Sequence, residues 1–358
     1  MNQINHGGNI GYYAKKYDIS PNLIMDFSAN INPLGPKEST LRIISEQIYQ
    51  IKHYPETDSE SLKKIAADTL NLCEENIIFG NGATELLFLL MHYKKPANVY
   101  IPYPTFSEYE LAAKAVQANI HFFPLTDNFQ KADWRFLENI ESGSIIFICN
   151  PNNPTGSLFS KETLKEVTSA AKEKNAFVMI DESFIDFLEE SNSMRTEIKN
   201  NPNIIILYSL TKIYSIPGLR LGMMMADPLL IKELHKIKDP WNVNCLAQLI
   251  TKDLLEDRDF IINTKAYFYK ERKRMVDALQ KVPDLILYPP SANYIFAEIT
   301  GLQTASELQE YLIQHKIMIR NCSNYQGLTD KYFRIAIKND DENDVLIKHI
   351  SDFFTKKK

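Results

Sequence analysis

Short apolar runs rich in Ile, Val and Phe recur between residues 76 and 226, at Ile77–Phe79, Val99–Ile101, Ile120–Phe123, Ile145–Cys149, Phe177–Ile180, Ile204–Tyr208 and Leu221–Met225. Between most of them lie longer segments with helical spacing, such as Glu85–His92, Tyr109–Val116 and Lys161–Lys174. Strands that alternate with helices predict an α/β layer whose mainly parallel, seven-stranded sheet is buried on both faces. From about Ala247 to Lys281 the pattern turns helical, with charges at Lys265, Lys270, Glu271 and Arg274, which predicts one or two long helices. Beyond Pro289 the elements shorten. Strands are expected at Asn293–Glu298, Met318–Arg320 and Tyr332–Ile337, and helices at Ala305–His315 and Asp341–Phe354. This divides the chain into a large domain over residues 36–250 and a smaller α+β domain made from 1–35 and 251–358.

Four polar clusters follow directly on predicted strands: Gly80–Glu85, Asn150–Gly156, Asp181–Ser183 and Ser209–Lys212. Ligands of open α/β sheets bind beyond the carboxyl ends of the strands, so four clusters there define one crevice.

Composition narrows the ligand. At 358 residues and 44% hydrophobic the chain can bury a large core of about two domains. The net charge of −5 comes from mixed acids and bases, with no basic stripe for nucleic acid, which favours a small molecule. The cysteines Cys73, Cys149, Cys245 and Cys322 form no CxxC pair, so reduced thiols and no metal site are expected. The opening residues lack a signal-peptide layout, and no apolar run approaches the ~20 residues of a membrane helix. A cytoplasmic protein without membrane contact is the expectation.

The richest chemistry lies in Ser209-Leu-Thr-Lys212-Ile-Tyr-Ser-Ile-Pro-Gly-Leu-Arg220-Leu-Gly222. A lysine held just after a strand, with a hydroxyl beside it and an arginine eight residues on, suits a phosphate-bearing aldehyde. Burial and neighbouring cations lower a lysine pKa, so that its amine can serve as nucleophile and then as base. Ser209 and Arg220 can both hold a phosphate dianion. Phe79-Gly-Asn-Gly-Ala83-Thr84-Glu85 opens a helix, whose free N–H groups suit an anion. In Asn150-Pro-Asn-Asn153-Pro154-Thr-Gly156, two Asn-Pro steps fix the backbone that presents Asn153. Asp181 ends an apolar strand, where a carboxylate can keep a pyridine nitrogen protonated, and Phe106 can stack on an aromatic ring.

Together these motifs resemble, over essentially the whole chain, the fold-type-I pyridoxal 5′-phosphate (PLP) enzymes of the aminotransferase class I/II superfamily. The resemblance implies that Lys212 holds PLP as a Schiff base and Asp181 pairs with the pyridine nitrogen. Asn153 would bond the ring hydroxyl oxygen, Phe106 would stack on the ring, and Ala83, Thr84, Ser209 and Arg220 would hold the phosphate. Tyr54, in His53-Tyr-Pro-Glu56, matches the tyrosine that family homodimers extend to the neighbouring subunit's phosphate, so shared active sites are implied. Arg334, in Tyr332-Phe-Arg334-Ile-Ala, matches the arginine for an α-carboxylate. One position departs: Phe184 stands where the common pattern has a tyrosine, three residues after Asp181.

Four further stretches are similar to the threonine-phosphate decarboxylases, with histidinol-phosphate aminotransferases as near relatives. They are His6-Gly-Gly-Asn9, Asp26-Phe-Ser-Ala-Asn30-Ile-Asn32-Pro-Leu-Gly35, the run from Asp181 to Phe187, and Ile319-Arg320-Asn-Cys-Ser-Asn324-Tyr325 with Gly327-Leu328. That likeness implies decarboxylation of L-threonine O-3-phosphate, in the making of cobalamin, with His6, Asn32, Asn153, Arg320 and Arg334 around the substrate. Transamination of histidinol phosphate and decarboxylation of O-phosphoserine are the alternatives. A PLP-fold sensor fused to a transcription regulator is disfavoured, because fifty-odd residues before Tyr54 leave no room for a helix-turn-helix.

Overall fold

The computed structural model describes residues 7–190 and 192–355. All seven predicted apolar runs form strands of one sheet, in the order Ile77–Asn81, Leu221–Met225, Ile204–Ser209, Phe177–Asp181, Ile145–Cys149, Asn98–Tyr103 and Asn119–Thr126. An eighth, two-residue strand, Lys131–Ala132, pairs antiparallel at the outer edge. Neighbours from Ile204–Ser209 across to Asn119–Thr126 are parallel, and Leu221–Met225 runs against both strands beside it. The five residues of Ile145–Cys149 are all buried, as are the six of Ile204–Ser209, because helices cover both faces. Such strands have no polar side to present, which is why they read as continuous apolar runs rather than alternating ones.

The helix Ala83–Lys94 follows the first strand and Lys161–Glu173 lies between the two central ones. The helical stretch after Ala247 resolves into two helices, Cys245–Glu256 and Arg258–Leu279, with Asp257 as the joint. The Asp257 side chain accepts from the Phe260 N–H at 2.9 Å and so caps the second helix. Beyond it, Leu285–Leu287, Tyr294–Ile299, Tyr332–Ala336 and Arg320–Asn321 make a four-stranded antiparallel sheet. Met25–Asp26 pairs in parallel with Ile317–Met318, which ties the N-terminal segment to the C-terminal part of the chain. Among the described residues no helix is long and apolar enough to cross a membrane.

Candidate active site

The parallel strands end together, with Cys149, Asp181 and Leu207 in register across three of them. A cleft of about 530 Å³ opens near these ends, lined by Phe106, Asn153, Phe184, Lys212, Arg220 and Arg334 among others. Lys212 lies in the single turn Leu210–Ile213 that continues the Ile204–Ser209 strand, and its Nζ donates to Ser209 Oγ at 2.9 Å. Burial, opposed by the Asp181 carboxylate and assisted by the Arg220 guanidinium, brings Lys212 down from 10.5 to about 8. An amine so placed is unprotonated in a useful fraction near neutral pH, as a nucleophile toward an aldehyde must be.

Arg220 sits at a positive φ of 54° and its guanidinium lies over the backbone of Gly82. A Cβ at Gly82 would strike that guanidinium, and one at Gly222 would strike the Ala83 backbone nitrogen. Both glycines are therefore required by close approach. They bring Arg220 against the start of the Ala83–Lys94 helix, whose first turn has no side-chain cap. Arg220 and the uncapped N–H groups of that helix start make a cradle suited to an anion.

Asp181 is 5% exposed. Its Oδ2 accepts from the Tyr109 hydroxyl at 2.7 Å and its Oδ1 from the Ser183 N–H at 2.9 Å. Glu182, next in sequence, accepts instead from Ser193 Oγ at 2.6 Å and the Met194 N–H at 2.7 Å, so it pins the segment around 193. Asn153 Oδ1 accepts from Arg334 Nη1. Because a guanidinium can only donate, this orients the Asn153 amide with its NH₂ turned away from Arg334.

Arg334 Nη2 donates to the Ser28 carbonyl at 2.7 Å, its Nε is buried without a partner, and it lies 5.4 Å from the Tyr294 ring centroid. Arg320 is its direct cross-strand neighbour. Arg320 donates to Asn324 Oδ1 at 2.7 Å and faces the Tyr325 ring at 5.0 Å. Both arginines are buried, and among the described residues no carboxylate pairs with either. Two like charges opposite one another on adjacent strands repel, so the arrangement calls for an anion. Arg320 opens onto a polar recess of about 220 Å³, with Tyr13, Gln309 and Ser323, that shares Gly7 and Ser28 with the Lys212 cleft.

One expected residue stands elsewhere. Asn32 does not reach the cleft: its Nδ2 donates to the Ile213 carbonyl at 2.8 Å and Thr264 Oγ1 at 3.0 Å, and its Oδ1 accepts from Leu34 N–H at 3.0 Å. Its polar atoms are consumed in fixing the turn that carries Lys212, which is a correction to the substrate role read from the sequence. Tyr54 is 81% exposed and packs on Trp241 at 5.1 Å between ring centroids, outside the cleft of its own chain. His6 lies outside the described residues, although Gly7 and Gly8 line the cleft and the Gly8 N–H donates to Ser28 Oγ at 2.8 Å. Tyr109, whose hydroxyl bonds Asp181, was missed, since nothing in its local sequence marks a buried polar contact.

The aminotransferase class I and II family model matches residues 23–350. Threonine-phosphate decarboxylase of Salmonella typhimurium is 35% identical over 98% of this chain and 96% of its own. A crystal structure of histidinol-phosphate aminotransferase from Clostridium acetobutylicum is 31% identical, with a TM-score of 0.85 over 92% of this chain and 99% of that one. That of L-threonine-O-3-phosphate decarboxylase from Porphyromonas gingivalis is 26% identical, with a TM-score of 0.83 over 91% and 98%.

Proposed function

Because the chain belongs to the aminotransferase class I and II family and works through pyridoxal 5′-phosphate, we propose that it decarboxylates L-threonine O-3-phosphate to 1-aminopropan-2-yl phosphate. When bound, the cofactor supplies a protonated pyridine ring that accepts the electrons of a broken Cα bond. Lys212 would hold the aldehyde and afterwards carry a proton to Cα. Asp181 would pair with the ring nitrogen and keep its proton in place. The NH₂ of Asn153, turned away from Arg334, would donate to the ring hydroxyl oxygen, and Phe106 would cover the ring face. Ala83, Thr84, Ser209 and Arg220 would hold the phosphate.

The observation that carries the reading is the pair Arg320 and Arg334. Threonine phosphate has two anionic groups, a carboxylate for Arg334 and a phosphate for Arg320 with its polar recess. Histidinol phosphate has one. The 31% identical aminotransferase structure supports transamination as a second reading, since both reactions share Lys212 and Asp181. Which bond breaks depends on which one stands perpendicular to the ring. Anchoring the substrate phosphate at Arg320, apart from the carboxylate, fixes that rotation.

Assembly is part of the proposal. Tyr54, Tyr49, Ile51 and Trp241 are 81, 76, 63 and 47% exposed, an apolar surface suited to a second copy of the chain. In such a homodimer Tyr54 reaches the neighbouring cofactor phosphate. The test of substrate class is charge: each charge-assisted hydrogen bond contributes about 1.5–3 kcal/mol. Free L-threonine should therefore react with kcat/KM lower than its phosphate ester by about two orders of magnitude or more. Equal turnover of the two would contradict the substrate assignment.

A further inference from the structure

Tyr109 is 1% exposed, stacked on Phe147 at 5.1 Å with 6° between the planes, and edge-on to Phe106 at 5.6 Å. A phenylalanine would fill this space as well, so the hydroxyl needs its own explanation. A buried hydroxyl costs free energy unless it is paired, and this one is paired with Asp181 Oδ2 at 2.7 Å. We infer that Tyr109 is a positioning residue that acts on the cofactor through Asp181, by holding the carboxylate ionised and aimed at the ring nitrogen.

The geometry supports this in three ways. Each Asp181 oxygen already has one donor from the protein, Tyr109 on Oδ2 and Ser183 on Oδ1, which fixes the plane of the carboxylate. The ring of Tyr109 packs edge-on to Phe106, which lines the cleft, so one side chain braces both the carboxylate that would pair with the cofactor nitrogen and the ring that would cover its face. The charges around Asp181 leave the hydroxyl as donor: Lys212 lies on the cleft side with Arg220 near it, while Cys149 and Tyr294 are the other titratable neighbours. Burial pushes the Cys149 thiol up to about 12, and burial together with the Asp181 charge holds the Tyr109 phenol well above its usual value. Cys149 and Tyr109 therefore keep their protons, and the Tyr109 hydroxyl is the donor in its bond to Asp181.

Removing the hydroxyl leaves Oδ2 short of a donor and makes the buried carboxylate costlier. The proton shared with the ring then moves toward Asp181, the ring loses positive charge, and the nitrogen linking Lys212 to the cofactor becomes more basic. The inference rests on the cofactor and is indifferent to whether the reaction is decarboxylation or transamination, so the two can fail separately.

The test is a pH titration of visible absorbance in cofactor-saturated enzyme. Tyr109→Phe should raise the midpoint by about one pH unit, the equivalent of one charge-assisted hydrogen bond, and lower kcat about tenfold with little change in KM. Tyr109→His, which restores a donor, should return the midpoint toward that of the wild type. In an Asp181→Asn background Tyr109→Phe should leave the midpoint where it is. An unmoved midpoint in the single variant, or an equal shift in both backgrounds, would overturn the inference.

Discussion

At Lys212 burial and charge oppose one another, and burial wins, which brings the amine from 10.5 to about 8. The sign has a consequence for the cofactor-free protein. Between about pH 8 and 10.5 the unfolded chain keeps a proton on Lys212 that the folded chain has released. Stability from this group therefore rises with pH across that window, and the penalty is fully present below about 8. Lys212→Met removes the penalty. Its denaturation midpoint should exceed that of the wild type at pH 7, and the gap should close by pH 10.5. A gap independent of pH would show that Lys212 is not held in this environment. The same variant should lose the cofactor label that borohydride reduction should fix on Lys212 of the wild type. Arg334 has a buried Nε without a partner and Arg320 as its cross-strand neighbour, which suits an anion between them.

The elements that bring these residues together were largely legible, because a strand buried on both faces has to be a continuous apolar run. The two-residue strand Lys131–Ala132 and the three-residue Leu285–Leu287 carry too few residues to leave a pattern, and neither was expected. Direction of pointing was the hidden quantity at the site. Asn32 sits in an Asn-rich stretch and reads as a ligand, yet its amide turns to the Lys212 turn and to Thr264. Tyr109 looks like one more apolar residue of a helix, and only the folded structure reveals the contact of its hydroxyl with Asp181. The cradle shows how closely the elements fit. At Gly222 an added Cβ meets the first nitrogen of the Ala83–Lys94 helix. Gly222→Ala should displace that helix start, with a loss of about 1–3 kcal/mol in stability and at least a tenfold weaker affinity for PLP by fluorescence titration. Unchanged PLP affinity would place the phosphate elsewhere.

For the whole molecule, the question is how much of the site one chain supplies. Lys212, Asp181, Asn153 and both arginines come from a single chain, whereas Tyr54 points outward beside Trp241. In a homodimer with shared sites, Tyr54→Ala and Lys212→Ala chains, each inactive or weakened alone, should regain activity on mixing, since some heterodimers contain one intact site. Full activity in a preparation that sediments as a monomer would rule that assembly out. The central claim is the reaction itself, on which the family divides. A transaminase stops after one turnover until a 2-oxo acid restores it. A decarboxylase returns a proton to Cα and needs no second substrate. PLP-loaded enzyme given L-threonine O-3-phosphate alone should release carbon dioxide over many turnovers while its visible absorbance persists. Bleaching after one equivalent, reversed by 2-oxoglutarate and without carbon dioxide, would identify a transaminase and contradict the account.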